Sequence, residues 1–443
     1  MIEIRAIGGY KEFGRNMTAL IIDNKTIILD MGIHLENYIN LTEDEDLIKI
    51  SRRDLENADA IPKIDYDDKI RKNAIAIIST HGHLDHIGAI PFMAKSFKCP
   101  IYATPFTCEV IKTLYEDEKL KLKNPLKKIK LNSSFKLGDD LSVEFISVAH
   151  STPQTVMIAV HTKYGTVLYG NDFKKDHNEI LGEVANFKRL TELGNSGKVL
   201  ALICDSTYSK EDKSTDSELI ARDLLKSVLE SGNYEGRVIL ISTFSSHLAR
   251  LNSIISSANK IKRNVVFMGR SLWKYTHAGE VAGIVDYSNI ERYKYRSEIN
   301  KKLRQIMSEG PDKYVLVVTG HQGERKAILS RIANDETPLK LMEKDVVIFS
   351  SSVIPVESNI LHRELLEKSL EKKKVQIYKD IHVSGHAAGD DITYLIEITK
   401  PKHIIPSHGE LKMLEGVREL SIKKGYDKST IHILSNGESV IID

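Results

Sequence analysis

The segment His81-Gly82-His83-Leu84-Asp85-His86 follows the apolar run Ala74–Ile78 and places three histidines and an aspartate within six residues. The apolar run predicts a buried β-strand that ends just before the histidines. On extended backbone, His81 and His83 point to the same side, and the other two ligands follow in the turn. Imidazole and carboxylate groups are typical ligands of transition metals. The segment predicts a metal site; the alternative, a histidine-rich surface loop, is disfavoured because the rest of the chain supplies further ligands.

The composition is that of an ordinary folded protein with more than one domain. The chain has 443 residues, of which 41% are hydrophobic and 28% charged. This length is too great for one hydrophobic core, so two large domains, or one domain with an insertion, are expected. The formal net charge is only +2. A general attraction to nucleic acid is therefore not evident, and a polyanion site would have to be a local cleft.

The cysteines and the N-terminus indicate the compartment. Cys99, Cys108 and Cys204 lie far apart with no C-x-x-C spacing. This spacing favours buried thiols in a reduced cytoplasmic protein over metal ligands. Residues 1–7 alternate apolar and polar side chains, which predicts a strand rather than a signal peptide. No apolar stretch reaches about 18 residues, so we expect no membrane span.

The first half of the chain alternates short strands with polar turns. Residues 2–30 predict a β-meander, and residues 34–70, charged and without clear periodicity, predict a surface excursion. An amphipathic helix is expected from about Ile87 despite Pro91. Lysines within residues 121–130 form a basic stretch. A solvated face is its usual explanation, and contact with RNA is the alternative.

Potential ligands recur directly after apolar strands. Asp30, His150 and Asp172 each follow such a run, as the histidine segment does. Strand ends are where sandwich and α/β sheets collect functional groups. His408 repeats the arrangement far along the chain. If His408 returns to the same site, residues 206–381 form an insertion.

From about residue 206, short apolar runs alternate with amphipathic stretches, which predicts a largely parallel sheet. The runs are 238–242, 265–268, 314–318 and 346–349, and the predicted helices are 218–229, 247–257, 324–332 and 357–370. The turns after the runs are 243–247, 269–270, 319–324 and 350–352. Their small and hydroxylated residues would present N–H groups to phosphate. N-capping explains each turn equally well by itself, but together the four turns favour a cleft for a polyanion.

These motifs resemble those of the metallo-β-lactamase superfamily and its β-CASP branch, whose members act on nucleic acids. In chain order, the matching motifs are Asp30, the H-x-H-x-D-H segment, His150, Asp172, Asp205, His386 and His408. Further stretches are most similar to the ribonuclease J family, in particular its archaeal members. These stretches are Gly8-Gly9 with Gly14 and Asn16, residues 319–324, and residues 382–387.

The resemblance implies an α/β fold, namely an αββα metallo-β-lactamase sandwich with an inserted β-CASP domain. The sandwich would comprise residues 1–205 and 382–443. The insertion would comprise residues 206–381 and contain the largely parallel sheet.

The resemblance also implies two divalent metal ions, zinc or alternatively manganese. The implied ligands are His81, His83 and His150 for one ion, Asp85, His86 and His408 for the other, and Asp172 between them. Asp30 would orient a ligand histidine, with a strand-end cap as the alternative. The implied catalytic residues are Asp85, Asp172, Asp205 and His386. His386 would act as general acid with Asp205 positioning it, or would only bind the scissile phosphate.

The implied activity is that of a 5′-to-3′ exoribonuclease that prefers 5′-monophosphate ends of single-stranded RNA. The residues expected to hold the substrate are Ser245, Ser246, His247, Arg270, Gly320, Gln322, His382 and Ser384. The alternatives are an endoribonuclease of the same branch, a small-molecule metallohydrolase, and an inactive RNA-binding scaffold. The long insertion disfavours the small-molecule enzyme, and the complete ligand set disfavours the scaffold. A homodimer is expected from the family, and partners in RNA decay cannot be named from the sequence.

Overall fold

The computed structural model describes residues 1–43, 50–64, 68–178, 180–354 and 357–442. The strands are β1 Ile2–Gly8, β2 Met17–Ile22, β3 Lys25–Leu29, β4 Ala74–Ile78, β5 Ile101–Ala103, β6 Leu126–Lys128, β7 Ser133–Gly138, β8 Leu141–Ser147, β9 Val156–Thr162, β10 Thr166–Gly170, β11 Val199–Asp205, β12 Ile239–Ser242, β13 Asn264–Met268, β14 Glu291–Tyr293, β15 Tyr314–Val318, β16 Val346–Phe349, β17 Gln376–Tyr378, β18 His403–Ser407 and β19 Ser439–Ile442.

The helices lie between single strands or groups of strands along the chain. They are α1 Leu35–Glu43, α2 Arg52–Asn57, α3 Asp68–Lys72, α4 Leu84–Ile87, α5 Ile90–Met93, α6 Pro105–Asp117, α7 Phe187–Asn195, α8 Glu218–Ser231, α9 Leu248–Lys260, α10 Arg270–Val281, α11 Arg296–Glu309, α12 Ile328–Ala333, α13 Glu357–Lys372, α14 Gly389–Thr399 and α15 Leu411–Lys423. Among the described residues, no helix combines the length and apolar character that a membrane crossing requires.

The chain forms two compact units, one of residues 1–215 and 385–443 and the other of residues 216–384. The division predicted from the sequence, after 205 and after 381, stays a prediction about domain boundaries.

The first unit contains two sheets in face-to-face contact. In the described part of the chain, one sheet has the strand order β19-β1-β2-β3-β4-β5-β6 and the other β18-β11-β10-β9-β8-β7. β1 buries alternate residues, as a strand with one core face does. Its Ile2 and Ile4 join Phe145 and Val160 of the second sheet in one apolar core.

Helices cover the outer face of the second sheet. α7, α14 and α15 contribute residues such as Leu190, Leu395 and Val417 to a second core against that sheet. β10, β11 and β18 lie side by side and parallel, so their carboxyl ends meet at one edge. The αββα sandwich with an inserted α/β domain is thereby confirmed.

The second unit is built on a parallel sheet of order β14-β13-β15-β12-β16-β17. β12, β15 and β16 are buried along their whole length, which explains their continuous apolar sequences. α11, α12 and α13 pack on one face through residues such as Leu303, Leu329 and Leu366. The predicted parallel sheet is therefore present.

Three local predictions were wrong. The helix expected from Ile87 is two short helices, α4 and α5, because Pro91 lacks an N–H and fits only the first turn of a new helix. The helix expected over 324–332 begins only at Ile328, because the Glu324 carboxylate accepts a hydrogen bond from the Gln322 N–H and stabilises a turn.

The third error concerns residues 34–70. They contain helices α1, α2 and the start of α3 and bury Leu55, Ile61 and Ile64, so this stretch is not purely a surface excursion. Residues 44–49 and 65–67 of it lie outside the described residues.

Candidate metal centre

The candidate ligands converge within the first unit at the ends of its strands. His81 and its neighbours follow β4, His150 follows β8, Asp172 follows β10 and His408 follows β18. β4 belongs to one sheet and the other three strands to the second. Face-to-face packing therefore brings together ligands that lie hundreds of residues apart in the sequence.

One group of ligands surrounds Asp172 Oδ2. His81 Nε2 and His150 Nε2 each lie 3.4 Å from this oxygen. His83 Nδ1 lies 3.1 Å from both of these histidine nitrogens. Three imidazole nitrogens and one carboxylate oxygen thus face a common point.

A second group surrounds Asp172 Oδ1. His86 Nε2 lies 3.3 Å and His408 Nε2 3.8 Å from this oxygen. Asp85 Oδ2 lies 3.6 Å from His86 Nε2 and 3.8 Å from His408 Nε2. The two oxygens of Asp172 therefore face two separate ligand groups, each large enough to hold a metal ion.

Several properties of these atoms fit divalent metal ions. Asp172 Oδ1 is buried without a hydrogen bond among the described residues, and its nearest basic atoms, the Nε2 atoms of His86 and His408, lie 3.3 and 3.8 Å away. A cation between these atoms would satisfy the buried oxygen better. Burial lowers the pKa of His81, His83 and His150 well below the usual value. These imidazoles are consequently neutral at pH 7 and can offer lone pairs to a cation.

The pKa values of Asp172 and His86 also favour a cation at this site. Burial alone would raise the pKa of Asp172, but His86, His408 and His386 outweigh burial and hold the pKa well below its usual value. Burial lowers the pKa of His86, but Asp172, Asp85 and Asp30 outweigh it and leave the pKa well above the usual value. A metal ion can replace the proton that His86 holds in this acidic setting.

Hydrogen bonds on the side away from the site orient four of the candidate ligand histidines, and Asp30, Thr80 and Gly385 hold three of them. His86 Nδ1 lies 2.7 Å from Asp30 Oδ2, and His81 Nδ1 lies 2.9 Å from Thr80 Oγ1, which also contacts Asp30. His150 Nδ1 donates to the Gly385 carbonyl over 2.6 Å. These contacts fix the ring orientation and leave Nε2 directed at the ligand group.

Asn16 holds the fourth of these histidines, and the sequence alone assigns it no role. Its Oδ1 lies 3.0 Å from His408 Nδ1, and its Nδ2 donates to the Asp85 carbonyl over 3.1 Å. Asn16 and His408 are 392 residues apart, so no local pattern relates them. Its only sequence signal is its place in the glycine-rich stretch that resembles the ribonuclease J family.

Gly385 permits the close approach behind His150. A Cβ on this glycine would lie 2.8 Å from the Ser151 side chain. A larger residue would push the 385 carbonyl away from His150 Nδ1, so glycine is required here for a steric reason.

His386 lies beside the ligands with Asp205 behind it. His386 Nδ1 is 2.7 Å from Asp205 Oδ2, and Nε2 is 3.9 Å from Asp172 Oδ2. Thr207, which the sequence does not single out, donates from its N–H to Asp205 Oδ1 over 2.8 Å. Burial lowers the pKa of His386, but Asp205 and Asp172 outweigh it and raise the pKa to about 9. His386 is therefore protonated at neutral pH.

The residues expected to hold the substrate lie in the second unit. Most of them follow the carboxyl ends of three adjacent parallel strands, with residues 243–247 after β12, Gly269 and Arg270 after β13, and residues 319–324 after β15; His382 and Ser384 follow β17. Arg270 is exposed, His382 and Ser384 are half-buried, and the others are buried. The Gln322 amide is used internally, because its Nε2 donates to the Ser352 carbonyl and its Oε1 accepts from the Ile354 N–H.

A buried ion network organises this edge, and the sequence does not reveal it. Arg250 is fully buried and contacts the Glu218 carboxylate through two nitrogens at 2.5 and 2.8 Å. It also donates to the Ser350 and Ile381 carbonyls. His247 Nε2 lies 3.2 Å from Glu218. The network connects α8 and α9 to Ser350, which follows β16, and to Ile381, which follows β17.

Comparisons with known proteins agree with this geometry. Residues 10–224 match the metallo-beta-lactamase superfamily, residues 235–365 match the beta-CASP domain of ribonuclease J, and residues 372–433 match a Zn-dependent metallo-hydrolase RNA specificity domain. Ribonuclease J of Methanocaldococcus jannaschii is 39% identical over 99% of this chain and 98% of its own length. The chain belongs to the ribonuclease J family. The family resemblance predicted from the sequence is confirmed.

Other relatives in the family differ in length. Ribonuclease J of Pyrococcus abyssi is 39% identical over 96% of this chain and 94% of its own length. Ribonuclease J 1 of Streptococcus pyogenes is 30% identical over 99% of this chain but only 74% of its own length. A solved structure of an Enterococcus faecalis protein of unknown function has a TM-score of 0.65 at 16% identity and covers 100% of this chain and 99% of its own. At that identity it supports the fold alone.

Proposed function

We propose that this chain removes nucleotides from the 5′ end of single-stranded RNA and prefers ends that carry a monophosphate. Membership of the ribonuclease J family makes it a metal-dependent hydrolase that acts on RNA. The direction of attack and the preference for the end are our inference from the resemblance and from the strand-end turns of the second unit.

The observation that carries the proposal is the shared carboxylate of Asp172. Each of its oxygens faces its own set of imidazoles, so the site fits two divalent cations. When bound, a pair of such ions acidifies water and stabilises negative charge on phosphate oxygens. We propose that both ions are zinc, with manganese as the competing choice, because the ligands are imidazoles and carboxylates without a thiolate.

The protein supplies the proton for the leaving group. Asp205 holds His386 through Nδ1 and raises the pKa of the ring, so Nε2 carries a proton at neutral pH. We assign to Nε2 the donation of this proton to the departing 3′ oxygen. Asp205 itself does not touch the substrate and acts as a positioning residue.

The second unit would hold the RNA. The half-buried His382 and Ser384 and the exposed Arg270 are its accessible members of the predicted set. Phe244 is half-buried, 4.4 Å from the His321 ring and 5.9 Å from the His382 ring between centroids. Aromatic faces beside polar turns suit a nucleotide, whose base stacks while its phosphate accepts hydrogen bonds.

One experiment tests the direction and the preference together. The same unstructured RNA is labelled at either end, prepared with a 5′ hydroxyl, monophosphate or triphosphate, and digested by the metal-loaded enzyme. We expect mononucleotides from the 5′ end, fastest from the monophosphate form. Internal fragments with no effect of the 5′ group would instead identify an endoribonuclease.

Two further parts of the proposal have their own tests. Metal analysis by mass spectrometry, followed by reconstitution with zinc or manganese, identifies the ion that restores turnover. Light scattering on the purified chain tests the expected homodimer. A cytoplasmic location belongs to the same proposal, since three buried free cysteines suit a reduced compartment.

A further inference from the structure

A cluster of aromatic and basic side chains lies at the outer end of the parallel sheet in the second unit. Lys294 and Tyr295 directly follow β14, the edge strand, and Trp273 and His277 lie on α10, which follows β13. We call these four residues the corner cluster. The Gly269 N–H donates to the Tyr293 carbonyl over 3.0 Å and joins the two strand ends. The corner cluster therefore lies at the same edge of the sheet as the turns expected to hold phosphates.

The four side chains contact one another in an ordered way. The Trp273 and His277 rings are stacked, with centroids 4.8 Å apart and planes 16° apart. Lys294 Nζ lies 4.4 Å from the Trp273 ring and 5.6 Å from the Tyr295 ring. Tyr295 is 55% exposed, whereas Trp273 and Lys294 are half-buried. Tyr295 is thus the member that solvent and ligands can reach, with a cation and a second ring behind it.

The surroundings of the corner cluster favour a polyanion. Two exposed arginines lie close to the corner cluster in the sequence. Arg270 begins α10, after β13, and Arg296 directly follows Tyr295, after β14. The nearby acids are engaged. Glu280 pairs with Arg292 at 2.6 Å, Glu291 pairs with Lys302 at 2.7 Å, and Glu298 accepts from the Tyr295 N–H at 3.3 Å. Next to Tyr295, the cations Arg270, Lys294 and Arg296 outnumber the exposed Glu298, whose bond to a backbone N–H leaves its charge in place, so the charge here is mainly positive.

We propose that Tyr295 stacks a base of single-stranded RNA whose phosphates pair with Arg270 and Arg296. Stacking on an aromatic ring tolerates any base, and flanking arginines neutralise the backbone, as an exonuclease that reads no sequence requires. Duplex RNA does not fit, because its bases are already stacked on one another. The inference rests on the proposed function in one respect, namely that the bound polymer is RNA. The corner cluster would extend the contact with this RNA along the sheet edge.

The chain contains a single tryptophan, so fluorescence excited selectively at tryptophan, where the tyrosines do not absorb, reports on this corner. The experiment measures the affinity of the metal-loaded enzyme for hydrolysis-resistant phosphorothioate RNA, from about 4 to about 20 nucleotides long, together with Trp273 emission. We expect longer RNA to bind more tightly and to quench the emission. In Tyr295→Ala, the affinity for the longest RNA should fall about 5-fold to 100-fold, with a smaller loss for shorter RNA. Tyr295→Phe keeps the ring and should bind like the wild type.

The first unit offers a matched control. Tyr164 is also exposed and carries a lysine over its ring, Lys163 Nζ at 5.0 Å, but both side chains bond to Asp23. Tyr164→Ala should leave the affinity for every RNA unchanged. An equal loss in Tyr164→Ala and Tyr295→Ala would overturn the proposal, because it would show that exposed tyrosines matter only in a general way.

The remaining outcomes separate this inference from the proposed function. If the wild type binds RNA with a length dependence that Tyr295→Ala retains, or if duplex RNA quenches Trp273 as strongly as single-stranded RNA, the stacking role is wrong and the ribonuclease function stands. If the wild type binds and hydrolyses no RNA of any length, the proposed function is wrong and the inference falls with it.

Discussion

In each unit, polar and charged residues lie at the carboxyl ends of parallel strands, but the partners of these residues differ between the two units. In the first unit, Asp172 Oδ1 is buried without a hydrogen-bond partner among the described residues. In the second unit, the buried Arg250 bonds to Glu218, Ser350 and Ile381. Both edges obey the rule that strand ends collect polar groups. The difference lies in the charged groups: the first edge leaves a carboxylate among imidazole nitrogens, where a cation fits, whereas the second edge pairs its charged groups with one another.

The largest effect is expected for Asp172→Ala, which removes one carboxylate oxygen from each of the two ligand groups. Hydrolysis should be abolished and the bound metal lost, because the first group would keep only imidazoles and the second would keep only one of its two carboxylates, Asp85. Metal content and turnover are measured on the same sample, and circular dichroism checks the fold. Full turnover in this variant would disprove the dinuclear assignment.

The next effect concerns His386. His386→Ala should lower kcat about 10²-fold to 10⁴-fold, the range of a lost general acid, while the enzyme keeps its metal. A variant that loses metal in proportion to activity would show that His386 supports the ligands rather than the leaving group.

The pKa of His386 gives this assignment a pH test. Since the pKa is raised to about 9 and Asp205 raises it most, Asp205→Asn should move the alkaline limb of the rate profile toward neutral pH. The sign follows from the role: the acid must be protonated, so activity is lost as the pH rises through the pKa. Titration of the ring by NMR in the metal-free chain checks the shift, and an unchanged limb would contradict the role.

A smaller effect, on stability rather than chemistry, is expected at the other edge. Arg250→Met removes the two hydrogen bonds of Arg250 to the buried Glu218 carboxylate but leaves His247 beside it. The free energy of unfolding should fall by about 3 kcal/mol, the low end of the range for a broken buried ion pair. Denaturant titration measures the loss. Replacing both residues, Glu218→Met with Arg250→Met, should recover much of it, and a double variant as unstable as the single one would contradict this reading of the network.

The smallest effect is expected for Asn16→Ala, which leaves every ligand in place but removes the support behind His408. Metal affinity should fall about 10-fold to 100-fold, as for other lost contacts behind ligand histidines. Competition with a chelator measures the affinity. Asn436→Ala is a matched control, because Asn436 Oδ1 accepts from the Tyr10 N–H in the same unit and contacts no ligand. Equal metal affinity in Asn16→Ala and the wild type would remove Asn16 from the site.

The features that could be predicted from the sequence are those that depend on local sequence patterns. The strands, the parallel sheet of the second unit and the sandwich follow from apolar periodicity together with the family resemblance, and the structure confirms them. The ligand and catalytic assignments remain predictions, although the structure brings His81 and His408 into two groups that share Asp172. The helix near Ile87 and the start of α12 were wrong because a proline and a carboxylate-stabilised turn outweigh apolar periodicity at element ends.

By itself, the sequence determined the donor chemistry, the order of the strands that carry it and the family. Only the tertiary structure decided which nitrogen of each histidine faces the site, that Asn16 and the Gly385 carbonyl hold two of the rings, and that Glu218 and Arg250 pair. The reason is physical. Local periodicity reports which face of an element is buried, whereas hydrogen-bond partners separated by 392 or 235 residues depend on sheet register and turn geometry.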